Sequence, residues 1–177
     1  MPQLAVAVLG PDRPGVVAAL TEVLLSDGGN LEDASMTLLR GQFAMTLVVD
    51  VDAGADGVRA GLAPVAEQLD LLVSVRETSP DTDDLRPPSA PYLLRVHGAD
   101  RPGLLHRTTA LLASYDANIT DLSTRLVGGP TSPVYVMLVS VDVPTSAPVD
   151  GLVQAVRELA SELEVEATLR PAEGDLL

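Results

Sequence analysis

The chain has 177 residues, of which 46% are hydrophobic and 2% aromatic, with no Trp and no Cys. This is ample for a core of Leu, Val and Ala, while the lack of Cys excludes disulfides, thiolate catalysis and sulfur-ligated metals. The net charge of −14, with all eleven cationic side chains being Arg, opposes direct binding to nucleic acid or an anionic membrane. No apolar run approaches the ~20 residues of a membrane span, so a cytoplasmic protein is expected.

In chain order, Leu4 to Leu9 is a short apolar run closed by a turn signal, a buried strand. Pro14 suits the first position of a helix whose face carries Val16, Leu20, Val23 and Leu24, with Gly28-Gly29 at its end. Asn30 to Leu39 and Gln42 to Val51 form a hairpin turning at Arg40-Gly41, and Phe43, Met45, Leu47, Val49 and Val51 alternate along its second arm. A second helix presents Val58, Leu62, Val65, Ala66 and Leu69, and Leu71, Val73 and Val75 mark a closing strand. Four prolines and three acids then crowd residues 78–91, which cannot bury a face and read as a linker.

The same succession follows again. Tyr92 to His97 is a strand, Leu104, Thr108, Leu111, Leu112 and Tyr115 share a helical face, and Asn118 to Val127 pairs with Val134 to Val143. A helix with Leu152, Val156, Leu159 and Leu163 and a strand from Val165 to Leu169 complete the unit, and residues 171–177 form a tail. The two units are copies. Gly10-Pro11-Asp12-Arg13-Pro14-Gly15-Val16 returns 88 residues later (98 − 10) as Gly98-Ala99-Asp100-Arg101-Pro102-Gly103-Leu104, and Asn30-Leu31 returns as Asn118-Ile119. Met45 answers to Met137 at 92 (137 − 45), the extra residues falling in the turn-rich Gly128-Gly129-Pro130-Thr131-Ser132-Pro133. The expectation is an α+β chain of two ferredoxin-like βαββαβ sandwiches, with domains at 1–77 and 92–170.

The first strand, the Asp-Arg-Pro-Gly turn, the helix it opens and the Asn of the next strand resemble the ACT domain, a family of regulatory amino-acid-binding modules. The resemblance covers Leu4 to Arg76 and Tyr92 to Arg170, and within the family it is nearest to the tandem regulators of the glycine cleavage system group. It implies a non-catalytic sensor with an amino-acid site near each turn, at Asp12, Gly15, Val16, Asn30 and Leu31, and at Asp100, Gly103, Leu104, Asn118 and Ile119. A ligand carboxylate suits the unpaired N–H groups of a helix start, Gly permits close approach, and Asp and Asn offer acceptors to the ammonium. In related domains that site often lies at an interface with another ACT copy, so the sheets are expected to pair side by side, within the chain or across a homodimer. The chain carries Asp in both turns where some amino-acid-binding members carry Asn or His, which leaves the ligand's identity open. Asp-x-Pro-Gly is also a competent helix start in any protein, with Asp as the cap, and Asn after a helix is a common left-handed residue.

No other constellation carries chemistry. His97 and His106 lack partners at a triad spacing, and Asp81, Asp83 and Asp84 do not follow the calcium-loop pattern, so neither metal nor cofactor is expected. Arg13 and Arg101 read as solvated or as local charge partners. Partners are expected to be a free amino acid or similar metabolite, a second copy and a possible protein partner. An assembly module with vacant sites, or a regulatory subunit of a separate metabolic enzyme, stands as the alternative.

Overall fold

Alternating Leu4, Val6 and Val8 reach zero or near-zero exposure on one face of the first strand, and Phe43, Leu47 and Val49 do the same on its neighbour. The period of two therefore generates one buried sheet face, which the helical stripe Val16, Leu20 and Leu24 covers. The computed structural model describes residues 2–78, 87–128 and 133–172. The chain divides into two compact units, Met1–Leu85 and Arg86–Leu177.

The first unit runs β1 (Gln3–Pro11), α1 (Val16–Ser26), β2 (Asn30–Leu39), β3 (Gln42–Asp50), α2 (Gly54–Leu69) and β4 (Leu72–Thr78). Its antiparallel sheet has the order β2-β3-β1-β4. The second unit runs β5 (Ser89–Gly98), α3 (Leu104–Ala113), β6 (Asn118–Val127), β7 (Val134–Pro144), α4 (Val149–Glu162) and β8 (Val165–Pro171), with the order β6-β7-β5-β8. Each unit has its own hydrophobic core between its sheet and its two helices. These are two ferredoxin-like α+β sandwiches, as the repeat requires.

Local chemistry fixes the corners. Arg40 and Gly41 both take positive φ, 51° and 78°, the signature of a tight hairpin turn whose twist matches the strands. Gly29 N–H donates to the Leu24 carbonyl at 2.8 Å, closing α1 around left-handed Gly28. Asp116, at φ 54°, takes that corner after α3, where Ala117 N–H donates to the Leu112 carbonyl at 3.1 Å. Gly10 and Gly98, anchors of the repeat, are required by close approach. A Cβ on Gly10 would stand 2.8 Å from the Asp70 carbonyl oxygen, and one on Gly98 would stand 2.8 Å from the Val165 side chain.

Several boundaries differ from the expectation. Pro14 is not the first helical residue: Gly15, at φ 92°, reverses the chain after it, and α1 begins at Val16. Asp12 makes no capping hydrogen bond to the helix, because that reversal turns the preceding backbone away from the helix axis. Ser89, Ala90 and Pro91 of the expected linker are the first residues of β5. Pro91 fits there because its carbonyl accepts from Ala172 N–H at 2.9 Å, one residue past the end of β8, so its missing N–H breaks no ladder bond. Pro171 likewise belongs to β8 rather than to a tail. The remainder of the linker at 79–86, including Asp81, Asp83 and Asp84, the loop at 129–132 and the tail at 173–177 lie outside the described residues.

Candidate functional site

The two Asp-Arg-Pro-Gly turns are built alike. Gly15 has φ 92° and ψ −6°, and Gly103 has φ 81° and ψ 0°. Val16 N–H donates to the Arg13 carbonyl at 3.3 Å and Leu104 N–H to the Arg101 carbonyl at 3.2 Å, so each turn folds back on itself before its helix begins. The first intrahelical bonds are Ala19 N–H to Gly15 (2.9 Å) and Arg107 N–H to Gly103 (2.9 Å). The N–H groups of Val17 and Ala18, and of Leu105 and His106, therefore have no intrahelical acceptor and stand at the positive end of the helix dipole. Apart from the adjoining residues, no atom lies within 4 Å of where a Cβ on Gly15 or Gly103 would be, so the space beside each turn is open. Val16 and Leu104, each 2% exposed, send their side chains into the cores and offer only backbone. Asp12 and Asp100 are exposed beside the turns, and Asp12 N–H donates to the Gly41 carbonyl at 3.0 Å, holding the first turn against the β2–β3 hairpin.

Asn30 and Leu31 lie elsewhere. Strand register places Asn30 opposite Asp50, and Asp50 opposite Gln3, the first residue of β1. Leu39 faces Gln42, and Gln42 faces Pro11, the last residue of β1. Asn30 and the Asp12–Gly15 turn thus occupy opposite ends of one sheet, about 27 Å apart at the usual rise per residue. Asn118 repeats this: it faces Asp142, which faces Pro91, at the end of the sheet away from Gly98 and the second turn. The cause is topological, since a helix crossing back over the sheet delivers the next strand at the far end. No single unit brings its Asp and Gly together with its Asn.

Both Asn residues share a local irregularity. The register of β2 shifts between Leu31 and Asp33, and that of β6 between Ile119 and Asp121, so each Asn-apolar pair is followed by a bulge. In the first unit Asn30 and Leu31 line a groove of about 500 Å³ with Ala18, Thr21, Glu22 and Leu25 of α1. The α1 members were not singled out in the sequence, although Leu25, 74% exposed, is an apolar residue outside the core stripe and signals a second contact face.

The remaining candidates take structural places. Arg101 pairs with Glu164, and Arg107 on α3 donates to Glu162 on α4 at 2.5 Å, a guanidinium contact that holds the Glu162 carboxyl below the ordinary Glu range. His97 is exposed on the helix-free side of the sheet and contacts Glu166 at 3.2 Å; His106 is exposed on α3. Among the described residues no group of three or more His, Cys, Asp or Glu could hold a metal, and no helix is long and apolar enough to cross a membrane.

Two βαββαβ units, each opening a helix with a bare glycine turn, define a tandem array of small ferredoxin-like modules. The chain belongs to the ACT domain family, whose profile matches residues 3–76 and 91–169. It is similar to the glycine cleavage system transcriptional repressor of Escherichia coli K12, with 29% identity over 170 residues, 94% of this chain and 88% of that protein. It is also similar to a UPF0237 protein of Methanopyrus kandleri, 39% identical over 79 residues, which spans 43% of this chain and 88% of that protein, the length of one repeat. Among solved structures, an unknown protein from Galdieria sulphuraria aligns with a TM-score of 0.85 and 27% identity over 97% of this chain and 98% of that one.

Proposed function

We propose that this ACT protein is a non-catalytic regulator that binds a free amino acid at sites completed between copies, and couples occupancy to assembly or to a protein partner. The observation that carries the reading is the pair of open helix starts at Gly15 and Gly103, each with two amides free to receive a carboxylate. A carboxylate there gains charge-assisted hydrogen bonds, each contributing about 1.5–3 kcal/mol, and favourable interaction with the helix dipole.

The separation of Asn30 from Asp12 is resolved by a second copy. β2 is an edge strand, so its outer backbone groups are available for pairing. Two β2 edges paired antiparallel set the Asn30 end of one against the Leu39 end of the other, which is the end carrying Asp12 and Gly15. The ammonium acceptor and the carboxylate donors then come from different molecules, and ligand binding stabilises the pair by its differential affinity. The name of the E. coli relative suggests repression of transcription as the output. In a chain of net charge −14 that output runs through a protein partner rather than direct contact with DNA.

Calorimetric titration of the intact chain with the twenty amino acids tests this, together with Asn30→Ala/Asn118→Ala. At least one amino acid is expected to bind saturably and to lose about tenfold in affinity in the double variant, the equivalent of one good hydrogen bond. At ~100 times its dissociation constant it adds about 2.7 kcal/mol of stability. Absence of binding across the panel would overturn sensing. It would favour an assembly module with vacant sites, a reading supported by the exposure of all ten residues of β2.

A further inference from the structure

The helix-free faces of the two sheets have diverged in a way the fold does not demand. In the second unit, register sets Arg95 beside Thr168 and Leu93 beside Arg170, and Ser140 lies across from Leu93 on the other side. Arg95 and Arg170 are thus diagonal neighbours on adjacent strands, a spacing of about 7–8 Å with the Cβ atoms somewhat closer. Together with His97, Ser140 and Thr168 they line an open concavity of about 860 Å³. The first unit is an internal control. There Ala7 pairs with Ser74 and Ala5 with Arg76, so the matching face keeps one Arg beside two alanines. A sheet that folds with Ala7 shows that Arg95 is not needed to make the strand.

We propose that this face of the second unit binds a dianionic small molecule, a phosphate monoester or a dicarboxylate, between the guanidiniums of Arg95 and Arg170. Two planar forks at that spacing engage two edges of one oxyanion, or the two ends of a short dicarboxylate, and the Thr168 and Ser140 hydroxyls supply further donors. The acids on the same face do not quench the pair. Glu166 is diagonal to Arg95 on the side away from Arg170; it contacts His97 at 3.2 Å and forms no ion pair with Arg95. Asp121 lies on the far edge strand, three strand spacings (about 14 Å) from Arg170, and Asp142 sits beside Pro91 one row beyond. Among the described residues neither Arg95 nor Arg170 forms an ion pair. This surface is separate from the helix starts of the amino-acid reading and stands whether or not those are occupied.

The test is calorimetric titration of the full chain at low ionic strength with inorganic phosphate and, separately, with succinate. One saturable site per chain is expected for at least one of them, and the stronger binder identifies phosphate or dicarboxylate as the chemistry read. Arg95→Ala and Arg170→Ala should each weaken it about tenfold or more, the loss of one charged hydrogen-bonding pair. Arg76→Ala, removing the same charge from the other unit, should leave it unchanged. Ala7→Arg, beside Arg76, should create a second site. Failure of both anions to saturate, an Arg95→Ala affinity equal to that of the intact chain, or equal weakening by Arg76→Ala overturns the proposal. Circular dichroism melts of each variant establish that any loss is not unfolding.

Discussion

Gly15 and Gly103 separate two demands that a glycine can meet. A Cβ at either position would touch nothing within 4 Å, so space is not the reason for glycine; the positive φ of 92° and 81° is. Gly15→Ala and Gly103→Ala are each expected to cost about 1–2 kcal/mol through the left-handed backbone alone, and Gly15→Asn less, because Asn tolerates that region. Urea melts of the three variants measure this, and an alanine variant as stable as the parent would mean the turn relaxes to negative φ. Gly10 is the opposite case, crowded by the Asp70 carbonyl at 2.8 Å, so the same Gly letter in one motif serves closeness at its start and chirality at its end.

At the scale of elements the edge strands set behaviour. Met36 and Leu38 of β2 lie opposite buried Met45 and Phe43, on the side that carries the helices, yet are 48% and 53% exposed because the helices do not reach the edge. In the pairing proposed above they meet a second copy. The intact chain is expected to sediment as a dimer and Met36→Lys/Leu38→Lys as a monomer with an unaltered melting curve; a dimer in both would place the contact elsewhere. Strand positions and the buried faces were readable in the sequence because period two survives in Leu4, Val6, Val8 and in Phe43 through Val51. The turn at Arg40-Gly41 was readable from Gly41 between two strand-like runs, whereas the positive φ of Arg40, 51°, had no signal in the sequence. Two features were not. The distance between Asp12 and Asn30 depends on which end of the sheet a crossover helix reaches, and residues close in a motif give no sign of it. Arg95 and Arg170 meet only when β5 and β8 pair across a sequence separation of 75 (170 − 95), and alternation assigns a face without assigning a neighbour.

For the whole molecule, duplication has left two cores of unequal quality. Leu20, fully buried in the first unit, corresponds 88 residues on to Thr108, which is 4% exposed in the second, and Phe43 corresponds to the partly buried Tyr135. The second core therefore carries a hydroxyl where the first carries a methyl-rich side chain, and a void of about 10 Å³ lies beside Thr108, lined also by Leu111 and Ala160. A buried Leu replaced by the smaller, more polar Thr forgoes apolar burial worth about 1–3 kcal/mol. With separate cores, scanning calorimetry is expected to resolve two transitions, the lower belonging to the second unit. Thr108→Val keeps the shape and removes the polar group, and about 1 kcal/mol regained should raise the lower transition by roughly 4–8 °C while leaving the upper one in place. Leu20→Ala, a fully buried truncation costing about 2–5 kcal/mol, should act on the other transition and bring the first unit down to or below the second. If both substitutions instead shift one common transition, the two cores melt as one, and the unequal packing of the repeats is shared across the chain.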